Sequence, residues 1–152
     1  MPAQTASQET LLIFNFLVVE DEPVNRQLLL TMLVHLGHRV IEASNGLEAL
    51  QVLAAVPDAA TLAVDVVLLD LHMAQMDGFD VLVRLRGNPA TRNLPVICIS
   101  AHARQEDQEK ALRLGADAYI VKPFRRQQLI VAVDGALLRL GLLAPGTSIG
   151  PS

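Results

Sequence analysis

The sequence holds no tryptophan, and its other aromatic side chains are four phenylalanines and one tyrosine, so any core it forms is aliphatic. It holds one cysteine, Cys98, which excludes an internal disulfide framework. Cys98 lies inside an apolar run, where a thiol reads as a buried, inert group rather than a nucleophile. Positive charge is scarce: 12 Lys and Arg stand against 16 Asp and Glu, for a formal net charge of -4. A broad duplex footprint needs a basic patch, so no nucleic-acid partner is expected. The apolar segment from Leu11 to Val19 is too short to span a bilayer and ends in Glu20-Asp21-Glu22. Residues 1–10 carry no Lys or Arg, so the basic start of a secretory signal is missing. A cytoplasmic protein with no membrane partner is expected. No internal repeat is visible, and low complexity is confined to the two ends.

What is present is a globular profile, 51% hydrophobic and 18% charged over 152 residues. That length suits one domain that buries about two thirds of its unfolded surface. The most informative stretch runs from Val64 to Met73. Its Val-rich apolar run suits a strand covered on both faces, and it stops at a carboxylate, Asp70. In open parallel α/β sheets, ligands bind beyond the carboxyl ends of the strands. Taken alone, Asp70 is only a polar stop or a turn residue.

Read in order, the chain alternates strands and helices. Residues 1–10 are small and polar and read as a mobile arm. A strand over about Ile13–Val19 leads through Glu20-Asp21-Glu22 to Pro23, which fits the first turn of a helix. That helix, about Val24–Leu36, carries Val24, Leu28, Met32 and Leu36 on one i+4 stripe, and Gly37 stops it. Arg39–Ala43 is a second strand. Asn45 caps a second helix, with Glu48 placed to reach back, and Leu47, Leu50 and Leu53 are expected to face inward. Pro57-Asp58 opens the connection to the third strand, the one ending at Asp70. Further units follow: a helix over Phe79–Arg86 after the Asp77-Gly78 turn, and a strand over Pro95–Ser100. Then come a helix over Gln105–Leu114, a strand over Ala118–Val121, and a helix over Arg125–Leu140. Residues 141–152, with Gly and Pro at short intervals, read as a flexible tail. Five such units imply a parallel sheet with helices on both faces, and right-handed crossovers place every strand end on one edge.

That edge collects Glu20, Asp21 and Asp70, with Ser100 and Lys122 at the ends of two further strands. Two like charges at ~4 Å repel by about 4 kcal/mol at an effective dielectric near ~20, so three carboxylates call for a proton or a cation. Carboxylate oxygens from two loops suit Mg²⁺, and a phosphoryl group is the natural third party. Lys122 can offer an ammonium to phosphoryl oxygens, Ser100 a hydroxyl, and Asp70 a nucleophile that forms an acyl phosphate.

On these residues the sequence closely resembles the receiver domains of two-component response regulators. The matching pieces are Leu17-Val18-Val19-Glu20-Asp21-Glu22-Pro23-Val24-Asn25-Arg26, Ser44-Asn45-Gly46-Leu47-Glu48-Ala49-Leu50 and Leu68-Leu69-Asp70-Leu71-His72-Met73, then Met76-Asp77-Gly78, Ile99-Ser100-Ala101 and Gly115 through Phe124. They span residues 12 to about 138, within a receiver domain expected over residues 11–140. The resemblance implies a flavodoxin-like (βα)5 fold with sheet order 2-1-3-4-5. It implies that Asp70 accepts phosphate from a histidine kinase or histidine phosphotransfer protein and passes a signal to a downstream protein target. It implies Mg²⁺ held by Glu20, Asp21, Asp70 and the backbone carbonyl of His72, with Ser100 and Lys122 on the phosphoryl group and a cis Lys122-Pro123 bond. Such a protein is a phospho-acceptor that catalyses only its own phosphorylation and dephosphorylation. Tyr119 matches the aromatic position whose rotamer follows Ser100, although plain packing explains a tyrosine there equally well. His72 and His102 occupy two variable positions that tune phosphate lifetime in the family. Where the family often has proline, four residues after the aspartate, this chain has Ala74, which suggests a less rigid loop.

Alternatives weaken on the same residues. A hydrolase with an aspartate nucleophile resembles Asp-x-Asp at the first strand end, where this chain has Glu20-Asp21-Glu22-Pro23. A flavin or nucleotide site needs a Gly- or hydroxyl-rich loop there. A receiver excised from a hybrid kinase, or a phosphate-independent docking module, fits the same fold. His35 and His38 straddle a helix end and read as surface residues rather than a metal pair. In the last helix, Leu129, Val133, Ala136, Leu137 and Leu140 form the core stripe. Val131, Gly135, Leu138 and Leu142 form a second one, which a homodimer partner or the folded-back tail would cover.

Overall fold

The computed structural model describes residues 12–54 and 63–151. The strands are β1 (Asn15–Val19), β2 (Arg39–Ala43), β3 (Val66–Asp70), β4 (Val96–Ser100) and β5 (Ala118–Val121). The helices are α1 (Pro23–His35), α2 (Gly46–Ala54), α3 (Gly78–Gly87), α4 (Gln105–Arg113) and α5 (Arg126–Arg139). All strand pairs are parallel, as the strand–helix alternation implied, in the order β2-β1-β3-β4-β5, as the resemblance implied. The expected arm of residues 1–10 and the connection at Pro57-Asp58 lie outside the described residues.

The central strands are apolar on both faces because both faces are covered. Phe16 and Val18 of β1, Val66 and Leu68 of β3, and Ile97 and Ile99 of β4 point into a cluster with Leu29 and Leu33 of α1 and with α5. Their neighbours Leu17, Val19, Val67, Leu69 and Cys98 point into a second cluster with α2, α3 and α4. Local chemistry starts the helices. Glu22 caps α1 by accepting the Val24 N–H at 3.2 Å, and Asn45 accepts the Glu48 N–H at 2.8 Å. The Glu48 carboxylate reaches the Ser44 hydroxyl, at 2.9 Å, rather than closing a backbone capping box. Asp77 caps α3. Gly37 and Gly115 follow α1 and α4 at φ 94° and 107°, the left-handed conformation that ends a helix.

The helix faces differ from the sequence reading at several points. On α1 Leu29 and Leu33 are buried and Met32 and Leu36 of the i+4 stripe pack half-buried against the same cluster, while Val24 and Leu28 of that stripe are 65% and 56% exposed. On α2 Leu53 is buried and Leu50 packs against the core as expected, but Leu47 is exposed and Ala49 is buried. Leu140 lies past the end of α5 and is exposed, and Ile130 is buried. These helices carry apolar residues on more than one face, so spacing alone did not single out the inner one. The outer stripe of α5 is exposed at Val131, Leu138 and Leu142, as read.

Two expectations need correction. His38 is not a surface residue: it is 4% exposed and packs between Phe14 and Phe16, with ring centroids 5.8 and 5.3 Å away. Residues 141–151 are not a loose tail, because Leu143 and Ile149 are buried in the cluster between α1 and α5. Aliphatic anchors in a Gly- and Pro-rich segment outweigh its turn-forming composition. The tail leaves the outer stripe of α5 uncovered.

The assignment of the α1 faces is open to measurement. In urea unfolding, Leu33→Ala is expected to cost about 2–5 kcal/mol, and Leu28→Ala to change stability by no more than about 0.5 kcal/mol.

Candidate functional site

Strand register builds the site. Val19 pairs with Leu69, so Glu20 and Asp70 leave the sheet side by side. Asp70 pairs with Ile99 and Ser100 with Val121, which brings Ser100 and Lys122 to the same edge. The Lys122 N–H donates to the Ser100 carbonyl at 2.7 Å and carries the ladder one residue past β5. The Lys122-Pro123 bond is cis, as the resemblance implied.

Glu20, Asp70 and Ser100 are buried and Asp21 is half-buried. One carboxylate oxygen from each of Glu20, Asp21 and Asp70 lies within 4.8 Å of the other two. The Lys122 ammonium donates to Glu20 Oε1 at 2.7 Å and reaches Asp70 Oδ2 at 3.4 Å. Backbone donors hold other oxygens: Glu22 N–H on Glu20 Oε2 at 3.0 Å, His72 N–H on Asp70 Oδ1 at 3.0 Å, and Ala74 N–H on Asp21 Oδ2 at 3.1 Å. Burial pulls the Lys122 pKa down, but the hydrogen bond to Glu20 and the charges of Asp70 and Glu20 outweigh it, so the ammonium is held above its ordinary value. Three carboxylates against one ammonium leave an all-oxygen donor set with surplus negative charge, which fits a small hard cation.

Several contributors were not legible beforehand. Arg26 donates to the Glu20 carbonyl at 2.9 Å. A Cβ on Gly78 would lie 2.5 Å from the Asp70 carbonyl oxygen, so only glycine lets the start of α3 close on the end of β3. The Ala74 bond bears on the loop expected to be less rigid, since proline there would have no N–H to give Asp21. The sequence signal was present in Ala74 itself, but its partner was not.

At the mouth of the site the His72 and His102 rings meet edge to face, with centroids 4.3 Å apart. Burial, and then the charge of His102, push the His72 pKa below its ordinary value. Ser100 Oγ accepts the His102 N–H at 3.0 Å, and the Tyr119 hydroxyl donates to the His102 carbonyl at 2.9 Å. Tyr119 is thereby tied to the loop that follows Ser100. Burial pushes the Cys98 thiol up to about 12, which fits an inert side chain.

The ion pair has a pH signature. Lys122→Met leaves the buried Glu20 carboxylate without its partner and is expected to cost about 3–5 kcal/mol at neutral pH. Because the folded-state lysine value is raised, this contribution is complete below the ordinary lysine value of ~10.4 and fades as pH rises through the higher folded value. The gap between parent and variant in chemical unfolding should stay constant from pH ~7 to ~9 and close only at stronger alkalinity.

A family model described as the response regulator receiver domain matches residues 16–134. A curated relative from Leptolyngbya boryana, described as an uncharacterized 14.6 kDa protein in the sodA1 3′ region, is 39% identical over 83% of this chain and 92% of its own length. The probable transcriptional regulator ycf27 of Cyanidium caldarium is 33% identical over 83% of this chain and 47% of its own. Of several other curated relatives the chain spans half or less. Among solved structures, the receiver domain of sensor histidine kinase PA1611 from Pseudomonas aeruginosa PAO1 superposes with a TM-score of 0.68 at 30% identity, covering 86% of this chain and 99% of that one. That structure has a magnesium ion coordinated in its active-site cleft. With a family match across most of its length, and with acidic, hydroxyl and lysine side chains gathered at the strand ends, this chain belongs to the response regulator receiver domain family.

Proposed function

We propose that the protein accepts a phosphoryl group on Asp70 from a phosphohistidine donor, a histidine kinase or histidine phosphotransfer protein. The modified domain then signals through its surface to a downstream protein. The carrying observation is the buried Asp70 carboxylate, oriented by the His72 N–H and set 3.4 Å from the Lys122 ammonium. In the transfer an Asp70 oxygen forms the O–P bond as the donor's N–P bond breaks, and the imidazole leaves. Lys122 offsets charge on the phosphoryl oxygens, and the Ser100 hydroxyl donates to one of them. Glu20, Asp21, Asp70 and the His72 carbonyl would hold Mg²⁺, which supplies charge neutralisation at those oxygens when bound. Ser100 and Tyr119 form the switch, through the loop that carries His102.

The donor has a surface to meet beside the acid cluster. Glu20, Leu28, Met32, Lys122, Pro123 and Phe124 help line a cavity of about 410 Å³. An apolar groove of about 530 Å³, with Val24, Thr31, His35 and Arg126 among its walls, adjoins it across Leu28 and Met32. The exposure of Val24 and Leu28, unhelpful for folding, suits a protein partner there. The acidic balance argues against nucleic acid as the target. Among the described residues no helix is long and apolar enough to cross a membrane. We read the site of action as cytoplasmic.

A small acyl phosphate with Mg²⁺ is the direct test. The parent should acquire one phosphoryl group, and Asp70→Asn none; labelling of Asp70→Asn equal to the parent would overturn the assignment. In the same assay His72→Ala and His102→Ala should change the lifetime of the phosphorylated form, because their rings stand at its mouth. Lifetimes indistinguishable from the parent would remove them from that role.

A second copy is the partner proposed for the outer stripe of α5. Light scattering should then give a lower mass for Leu138→Glu than for the parent, and an unchanged mass counts against that dimer.

A further inference from the structure

At the end of the sheet away from Asp70, three residues of the returning tail meet side chains from distant parts of the chain. Both main-chain polar groups of Ile149 are taken by side chains. Its N–H donates to Asp134 Oδ1 of α5 at 2.8 Å, and its carbonyl accepts from His38 Nε2 at 2.6 Å. The second Asp134 oxygen accepts the Ser148 hydroxyl. The His38 tautomer is fixed by its other nitrogen, since Nδ1 accepts the Phe14 N–H at 3.1 Å and leaves the proton on Nε2. The Ile149 side chain is buried in the cluster between α1 and α5. A Cβ on Gly150 would lie 2.9 Å from both Ile130 Cδ1 and Leu36 Cδ2, so the next position admits glycine most readily.

Apolar packing alone would account for a buried isoleucine. It does not account for a carboxylate and an imidazole that bond the N–H and the carbonyl of one residue, as peptide sites do when they read an extended segment. We infer that α1, α5 and His38 form a peptide-binding slot that reads a hydroxyl–aliphatic–glycine sequence, occupied in cis by Ser148-Ile149-Gly150. The tether is short, and a short tether gives the cis segment an effective concentration on the order of millimolar. The same peptide supplied in trans therefore enters only when the chain's own tail is disabled. Because the slot joins α1 to α5, its occupant braces the two helices that share one face of the sheet.

A fluorescent peptide of residues 145–151 tests the slot by anisotropy on the full chain. Ile149→Asp, which removes the cis anchor, is expected to bind the peptide at least tenfold more tightly than the parent. Adding Asp134→Ala should return the affinity to the parent's level. Equal binding by parent and Ile149→Asp overturns the inference, as does binding that ignores Asp134→Ala. Amide exchange on the parent gives an independent reading that needs no tail variant. The Ile149 N–H should exchange at least tenfold more slowly than in Asp134→Ala, and exchange at the rate of an unstructured peptide in the parent overturns the slot.

Discussion

A half-buried ammonium between buried carboxylates is the interaction on which the rest of the structure depends. Lys122 and Glu20 lie 102 residues apart in sequence, and β3 and β4 separate their strands in the sheet. Their 2.7 Å contact rests on the parallel order and register of β1, β3, β4 and β5, which bring the ends of β1 and β5 to one edge. A pair of this kind is a poor device for stability, since apolar residues of similar volume often serve as well or better. Its place at the edge where open parallel sheets bind ligands, with Asp21 and Asp70 adding negative charge, supports the chemical use proposed for it.

The sheet was legible because its signal is absolute. A central strand of a doubly wound sheet is apolar at nearly every position, so the runs ending in Val19, Asp70 and Ser100 could be located within about a residue or two, and the polar residues after them marked one edge. The helices lacked such a signal. In α1, Val24 and Leu28 follow a regular i+4 spacing that a core-facing helix would show, yet Leu29 and Leu33 carry the burial. With half the sequence hydrophobic, more than one face of a helix is apolar, and only the position of the sheet decides which is inside.

What stayed hidden has a common physical form: a side chain bonded to the backbone of a distant residue. His38 reads as a helix-end surface residue until Phe14 and Ile149 are brought to its two nitrogens. Ala74 reads as a substitution for proline until its N–H is seen on Asp21. Gly78 reads as a turn until Asp70 O is found where its Cβ would be. None of these partners is marked by spacing or composition, because a backbone donor or acceptor is present at almost every position. The candidate site side chains escaped this limit since each ends or directly follows its own strand, and strand ends can be counted.

The shared ammonium also constrains how a phosphorylated Asp70 would be accommodated. In the proposed transfer Asp70 trades one carboxylate charge for a phosphoryl group with more charge and more oxygens. Lys122 is the ammonium within reach of both Glu20 and Asp70, and it sits closer to Glu20. If the phosphoryl oxygens draw it away, Glu20 keeps the Glu22 N–H but loses its counter-charge in a buried position, which is costly without a replacement. Charge at this edge therefore has to be balanced across the set rather than pair by pair. That would explain why an acidic pair after β1 belongs to a site whose proposed covalent step lies at the end of β3, and why the Ser100 hydroxyl, a neutral donor, suits the adjoining strand end better than another acid would.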